Sequence, residues 1–179
     1  RGTGSWSGTV LAESHTVSFG TIAGYTTPPP QTVTVNADQT TSVTGMYSST
    51  QPTAAVVLNE VAFRRTQTIV YQATLTPGSM PPTPVDIYLF ARLPDGITFV
   101  SLVQASPGGA ISMVLGPSPI PFLTGATLSS MTVPFAYTFT GSEPVGAYLA
   151  YAGLVTAGTD PLQPTIWLSL DQQPFWFTP

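Results

Sequence analysis

The sequence predicts an all-β chain made of two unequal units, and three observations support this. Thr, Val, Tyr and Phe alternate with other residues at a period of two in many short runs, as in strands with one buried face. Glycine and proline, 16 and 19 of the 179 residues, interrupt almost every run. No window of about 11–18 residues has apolar side chains at helical spacing. We therefore expect essentially no α-helix.

The first unit, a small β-repeat domain, is assigned to residues 1–48. Four short strands are predicted in it, at 6–11, 15–19, 31–35 and 40–47. Glycine and prolines within 24–30 turn the chain, and 36–39 is predicted to form a tight connection. Residues 49–53 are polar and patternless, so we interpret them as a linker.

The second unit is assigned to residues 54–179. Its strands are predicted near 55–63, 67–76, 85–93, 97–104, 110–115, 132–140, 146–156 and 165–177. Short strands that recur about every 8–12 residues with turn signals between them favour an antiparallel β-sandwich over an α/β fold. The proline-rich stretch 116–121 is predicted to be an extended loop that crosses between sheets.

The clearest local signal in the second unit is the sequence Pro94-Asp95-Gly96. Asp-Gly supplies the backbone conformation that a tight hairpin turn needs and that other residues resist. We therefore predict that 87–93 pairs with 97–103 and that Gly96 has a positive φ.

Several Thr-rich segments of the first unit carry a family resemblance. They are Ser-His-Thr-Val-Ser-Phe, Ala-Gly-Tyr-Thr-Thr-Pro, Gln-Thr-Val-Thr-Val and Gln-Thr-Thr-Ser-Val-Thr-Gly-Met-Tyr, in that order within residues 5–47. Together they resemble short β-repeats, similar to PEGA-type domains, of bacterial secreted and cell-surface proteins. The resemblance implies a modular architecture and no reaction. In that family a further strand usually precedes the segment that matches Trp6, so we expect one edge of this repeat to be unpaired.

A second resemblance concerns the other unit. Glu143-Pro144-Val145 forms a proline-containing turn, and Gly146-Ala147-Tyr148 follows it. This resembles the Gly-x-Tyr entry into the penultimate strand of many immunoglobulin-like sandwiches. Residues 55–179 are similar to immunoglobulin-like domains at the C-termini of large bacterial extracellular proteins. The resemblance implies an immunoglobulin-like antiparallel β-sandwich.

Charge is scarce in this chain. Charged residues make up 7% of it, against about 25% in an average protein, with four arginines, no lysine and a net charge of −4. Binding of nucleic acid is excluded, because it needs clustered basic residues. Two explanations of solubility fit: a neutral polar surface, or a surface covered by neighbouring subunits. No run is long and apolar enough for membrane insertion. The sequence opens at Arg1 without a signal-peptide core, which fits a processed product or a piece of a longer chain.

Catalytic and metal-binding groups are few. Cysteine is absent, which removes disulfides and thiolate sites, and His15 is the single histidine, expected to have a structural cross-strand role. The carboxylates are Glu13, Asp38, Glu60, Asp86, Asp95, Glu143, Asp160 and Asp171. None accompanies a metal-site or Gly-x-Ser-x-Gly pattern. Asp86 is expected to be a solvent-facing strand residue; the alternative is that alternation points it toward Arg92 or Arg64. We predict no enzyme activity, no cofactor and no metal site.

The consecutive aromatics Phe175, Trp176 and Phe177 place at least one ring on each face of their strand. Either both faces are covered, or Trp176 contacts a partner. Together with Trp6 they form the predicted interface. The favoured function is a structural module of an extracellular or cell-surface bacterial assembly, such as a filament, sheath, stalk or surface layer, with the chain itself as partner. The alternative is a carbohydrate- or surface-binding accessory domain, with glycans or other surface proteins as partners.

Overall fold

The computed structural model describes residues 5–79, 83–106, 108–163 and 167–179. The strands are β1 (Ser14–Val17), β2 (Tyr25–Thr26), β3 (Gln31–Thr34), β4 (Ser48–Ser49), β5 (Thr53–Leu58), β6 (Ala62–Phe63), β7 (Thr68–Thr76), β8 (Val85–Arg92), β9 (Phe99–Gln104), β10 (Ile111–Gly116), β11 (Leu123–Ala126), β12 (Met131–Thr138), β13 (Gly146–Thr156) and β14 (Trp167–Phe177). The described residues contain no helix. The predicted all-β class is confirmed. The chain divides into two compact units, one ending at Thr50 and the other beginning at Gln51.

The first unit contains two small antiparallel pairs, β1 with β3 and β2 with β4. The predicted strands at 15–19 and 31–35 correspond to β1 and β3. The strands predicted at 6–11 and 40–47 are not formed. Alternation gives a segment strand propensity, but a strand forms only where a partner edge and a surface to bury its apolar face are both present.

The second unit is built from two sheets. The large sheet has the strand order β10-β9-β8-β13-β14-β6, and β11 also pairs with β8; the small sheet has the order β12-β7-β5. All pairs are antiparallel except β14 with β6. Strict alternation along β7 buries Ile69, Tyr71, Ala73 and Leu75 against the large sheet. The main hydrophobic core lies between the two sheets, in a sandwich-like arrangement.

The segment predicted as one strand over 55–63 is divided between the sheets. β5 belongs to the small sheet, whereas β6 pairs with β14 in the large sheet. At the start of the last predicted strand, residues 165 and 166 lie outside the described residues.

The predicted hairpin at Asp95-Gly96 is confirmed. Gly96 has a φ of 75° and its N–H donates to the Leu93 carbonyl oxygen. The Asp95 carboxylate accepts hydrogen bonds from Thr98 and Ile97, and those from Thr98 hold the pKa of Asp95 below its usual value. Direct β8–β9 pairing extends only from Arg92–Phe99 to Phe90–Ser101, because β11 takes over the same edge of β8 further along.

The prediction that the proline-rich loop 116–121 crosses between sheets is wrong. It leads from β10 to β11, and both strands belong to the large sheet. The Ile120 N–H donates to the Ser101 hydroxyl, and the Phe122 N–H donates to the Ile87 carbonyl oxygen. Through these two hydrogen bonds the loop contacts β9 and then reaches the edge of β8.

One edge of the small sheet is satisfied by side chains. The N–H groups of Ala54 and Val56 in β5 donate to Ser169 Oγ and Asp171 Oδ2, each at 2.9 Å. The N–H of Leu58 donates to Gln173 Oε1, also at 2.9 Å. Because these acceptors recur at every second position of β14, they face β5 as a row and occupy donors that another strand could otherwise use.

Candidate functional site

On the side away from β5, the two sheets leave an opening into the core. It contains a cavity of about 210 Å³. The residues that line it are Ile69, Tyr71, Phe90, Ala91, Leu93, Val100, Leu102, Met113, Leu115, Phe135, Tyr137, Phe139, Glu143, Pro144, Tyr148, Ala150 and Phe175. We call this opening, with the residues that line it, the apolar opening. Apart from Glu143 and three tyrosines, all of these residues are apolar.

The opening exists because the small sheet is narrower than the large one. Met113 pairs with Leu102 and Leu115 pairs with Val100 across β10 and β9, so all four side chains lie on the core face. Met113 and Leu115 are nevertheless 42% and 66% exposed. The core face of the large sheet therefore continues past β12 as an uncovered ledge formed by Val100, Met113 and Leu115.

The polar groups at the rim already have partners. Glu143 Oε1 accepts hydrogen bonds from the Tyr137 hydroxyl and from the N–H and hydroxyl of Thr140, and Oε2 accepts one from the Gly141 N–H. The Tyr148 hydroxyl donates to the Pro144 carbonyl oxygen. A ligand in the apolar opening would thus meet carbon atoms and few free polar groups.

These contacts and burial also shift the pKa values of Glu143, Tyr137 and Tyr148. Burial alone would raise the pKa of Glu143, but hydrogen bonds from Tyr137 and Thr140 outweigh it and lower the pKa to about 2. The hydrogen bond to Glu143 raises the pKa of Tyr137 to about 12, and burial raises the pKa of Tyr148 to about 12. At neutral pH the rim therefore holds one carboxylate anion and two neutral phenols.

The strands that border the apolar opening protect their edges unequally. Pro134 lies in the middle of β12 and has no N–H to offer a further strand. β10 contains neither proline nor a charged residue, and it carries the exposed Met113 and Leu115. Natural proteins usually guard such an edge with charge, proline or a covering segment.

The four residues of the predicted interface do not lie together. Phe175 and Phe177 are core residues, with Phe177 fully buried, and they stack on Tyr148 and Phe139. The interface prediction is corrected at these two positions, because inward-facing rings of β14 fill the space between the sheets. Trp176 faces outward and is 47% exposed. Only one face of this aromatic triplet is therefore covered by the chain itself.

Trp6, the fourth predicted interface residue, is 81% exposed. Its ring lies over Gly8, where an added Cβ would come within 2.4 Å of Trp6 Cζ2. The Trp6 ring can therefore lie over position 8 only because that residue is a glycine.

A second aromatic group lies on the outer face of the large sheet. Phe90 stacks on Tyr151 with ring centroids 4.6 Å apart, and Trp167 packs edge-on against Tyr88. Tyr88 and Phe90 are buried, so these rings mainly pack against one another. They do not form a row of open, coplanar rings of the kind that would favour sugar binding.

The structure corrects the expectation that Asp86 faces solvent. Its side chain is buried, and its carboxylate oxygens accept the Gly125 and Gly158 N–H groups at 2.7 and 2.8 Å. The cause is that β8 has both faces covered. Burial, followed by the charge of Asp86, raises the pKa of the neighbouring Tyr88.

His15 lies on β1 opposite Val33, and its Nε2 is 2.8 Å from the Leu11 carbonyl oxygen. Among the described residues, no three histidine, aspartate or glutamate side chains come together as a metal site. Within the same residues no helix has the length and hydropathy of a membrane span.

Comparison with known proteins identifies no family for this chain. No protein-family model matches the chain, and a search of curated proteins found no match. Among solved structures, the chain is similar to the crystal structure of Spo0M, a sporulation control protein from Bacillus subtilis. The identity is 11% and the TM-score 0.38, over 72% of this chain and 50% of that protein, so the chain spans half of its length. A likeness this distant carries no functional argument.

Proposed function

We propose that the chain is a non-catalytic structural module of an extracellular bacterial assembly, such as a filament, sheath, stalk or surface layer, held together by contacts between β-units of neighbouring copies. One observation carries the proposal. None of the described residues of the first unit, 5–50, belongs to a hydrophobic core, yet Trp6, Leu11 and Met46 are exposed in it. Apolar side chains that a unit cannot bury itself favour burial against a partner.

The composition supports the same proposal. A monomer usually keeps itself soluble and protects its sheet edges with charged residues, above all lysine. This chain has few charged residues and no lysine. A surface covered by neighbouring copies does not need that protection. The unguarded β10 edge and the ledge beside it are features that an assembly would cover.

The extracellular bacterial location rests on two lines of support. The first unit resembles repeats of bacterial secreted and cell-surface proteins, and the second resembles bacterial immunoglobulin-like domains. The absence of cysteine is compatible with an oxidising compartment, because no thiol is available for unwanted oxidation.

Sedimentation velocity over a wide concentration range, together with negative-stain images, tests the assembly. We expect the sedimentation coefficient to rise with concentration and the images to show repeating particles. A chain that sediments as a monomer at the highest concentration contradicts the proposal.

A carbohydrate- or surface-binding accessory domain is the second candidate, favoured by one surface. Leu170, Gln172, Pro174 and Trp176 occupy alternate positions on the exposed face of β14. Aromatic and apolar side chains in a strip can stack on sugar rings. A pull-down on insoluble polysaccharides such as cellulose, chitin and peptidoglycan, with Trp176→Ala as control, separates this candidate from the first.

A further inference from the structure

We propose that the apolar opening binds residues 5–11 of a second copy of this chain, with the Trp6 ring in the cavity. The inference rests on the proposed assembly function and deepens it by naming both contact surfaces. It brings together a segment that has an apolar face but no strand partner and a sandwich core that is open along one side.

The segment has the pattern of a strand but forms none. Trp6, Gly8 and Val10 lie at alternate positions and would share one face of an extended chain. Residues 5–11 are outside every strand of the described structure, and Trp6, Val10 and Leu11 are exposed. Its apolar face is therefore available to a partner.

The cavity is large enough for the side chain of Trp6. A cavity of about 150 Å³ holds a benzene molecule. At about 210 Å³, the cavity here has room for the larger indole ring of Trp6. The residues that contribute most to binding in protein–protein interfaces are enriched in tryptophan and tyrosine and lie in well-packed pockets.

The chemistry of the two surfaces agrees. Residues 5–11 carry no charge. The Glu143 carboxylate at the rim already accepts four hydrogen bonds, so it demands no cation from the ligand. An uncharged segment can enter with its apolar face inward without leaving a buried charge unpaired, whereas a charged segment could not.

The segment would lie over the ledge of Val100, Met113 and Leu115, where a fourth strand of the small sheet would run. Because Pro134 removes one donor from the β12 edge, we assign the binding mainly to side-chain burial and not to a complete backbone ladder. Covering Met113 and Leu115 removes the largest exposed apolar side chains of the ledge from water.

Substitutions on both surfaces test the contact in the full chain. Trp6→Ser and Leu115→Glu should each weaken self-association by about tenfold or more in sedimentation, because one removes the anchor and the other puts a charge on the ledge. Trp6→Phe should keep most of the association. Val57→Glu, a matched exposed strand position on the other side of the small sheet, should not change it. Association of unchanged strength in Trp6→Ser and Leu115→Glu would overturn the inference while leaving the assembly function intact.

A peptide separates the two proposals further. The full chain carrying Trp6→Ser is titrated with a labelled peptide of residues 5–11, Ser-Trp-Ser-Gly-Thr-Val-Leu, and binding is followed by fluorescence anisotropy. We expect saturable binding that is lost with serine in place of the peptide tryptophan or with Leu115→Glu in the protein. If the peptide does not bind although the wild-type chain associates, the inference fails alone. If the peptide binds although the wild-type chain is a monomer, the opening accepts this segment but not from a second copy, and both the inference and the assembly function fail.

Discussion

Backbone N–H groups donate hydrogen bonds to several carboxylates of the described residues, namely Asp86, Asp95, Glu143, Asp160 and Asp171. In a chain with no lysine, these acids serve mainly as acceptors that hold turns and strand edges in place. A buried donor that loses such an acceptor costs about 1–3 kcal/mol of stability. The effect should be largest where the carboxylate bridges two separate segments.

Asp86→Asn tests this at the most buried of these carboxylates. The asparagine amide keeps one acceptor oxygen but points an NH2 group at the other glycine N–H, so one bond is lost. We expect a lower free energy of unfolding, by about 1–3 kcal/mol, in urea denaturation. The control is Asp38→Asn, at an exposed turn position with a φ of 60° that asparagine tolerates. Equal stability of the two variants would contradict the assignment.

Glu143 predicts a pH dependence. Its pKa is lowered to about 2 in the folded chain from an ordinary value of 4.5, so its stabilising effect is complete above 4.5 and lost as the pH falls towards 2. The free energy of unfolding of Glu143→Gln should therefore depend less on pH between about 4.5 and 2 than that of the wild type. Tyr137→Phe should reduce the same dependence, because it removes one donor to the carboxylate. Parallel pH profiles for all three proteins would refute the prediction.

Some residue environments could be predicted from the sequence and others could not. Strand alternation normally exposes one face and therefore predicts a surface position for Asp86. The segment 85–90 reads Val-Asp-Ile-Tyr-Leu-Phe, almost continuously apolar, which is typical of a strand covered on both faces. That signal could have located Asp86 in the interior. The row formed by Ser169, Asp171 and Gln173 carried no comparable signal, because its partner strand is distant in sequence.

At the level of elements, prediction succeeded where the determinants are local. The β8–β9 hairpin is set by Asp95 and Gly96, which fix their own turn through neighbouring hydrogen bonds. The strands predicted at 6–11 and 40–47 depend on partner strands that are not found among the described residues. The division of 55–63 between two sheets and the course of 116–121 depend on long-range pairing, so local patterns did not reveal them.

Gly96→Val tests the hairpin. A β-branched residue resists a φ of 75°, so the free energy of unfolding should fall by about 1 kcal/mol or more. Gly96→Asn is the control, since asparagine adopts this conformation more readily. The measurement is urea denaturation of both variants beside the wild type. A valine variant as stable as the asparagine variant would show that the turn is not fixed by this position.

At the scale of the whole molecule, the second unit is asymmetric. Its β5 side is closed by side chains of β14, and its β10–β12 side is open over an apolar ledge. An all-β chain of two units was predictable from composition and alternation. The opening was not, because it results from a three-stranded sheet facing a wider one, and strand order is not visible in local sequence patterns.

Removal of residues 1–48 tests the roles of the two units. Because every core residue in the described part of the chain lies at or beyond Ala54, the shortened protein should keep its β-sheet circular dichroism spectrum and unfold cooperatively. It should also sediment as a monomer, since it lacks the segment that we propose binds a second copy. A truncated chain that still associates like the wild type would place the contact elsewhere.

The row of hydrogen bonds between β5 and β14 also has a mechanical consequence. Residues 54, 56 and 58 bond to 169, 171 and 173 in ascending order, so the two strands run parallel, as β6 and β14 do. Tension applied through Gln51 and Pro179 would pull these strands past each other and load all the bonds at once, instead of opening them one by one. In single-molecule stretching, Asp171→Ala should therefore lower the unfolding force of this unit. A module joined end to end in a surface assembly would bear tension along this pair of strands.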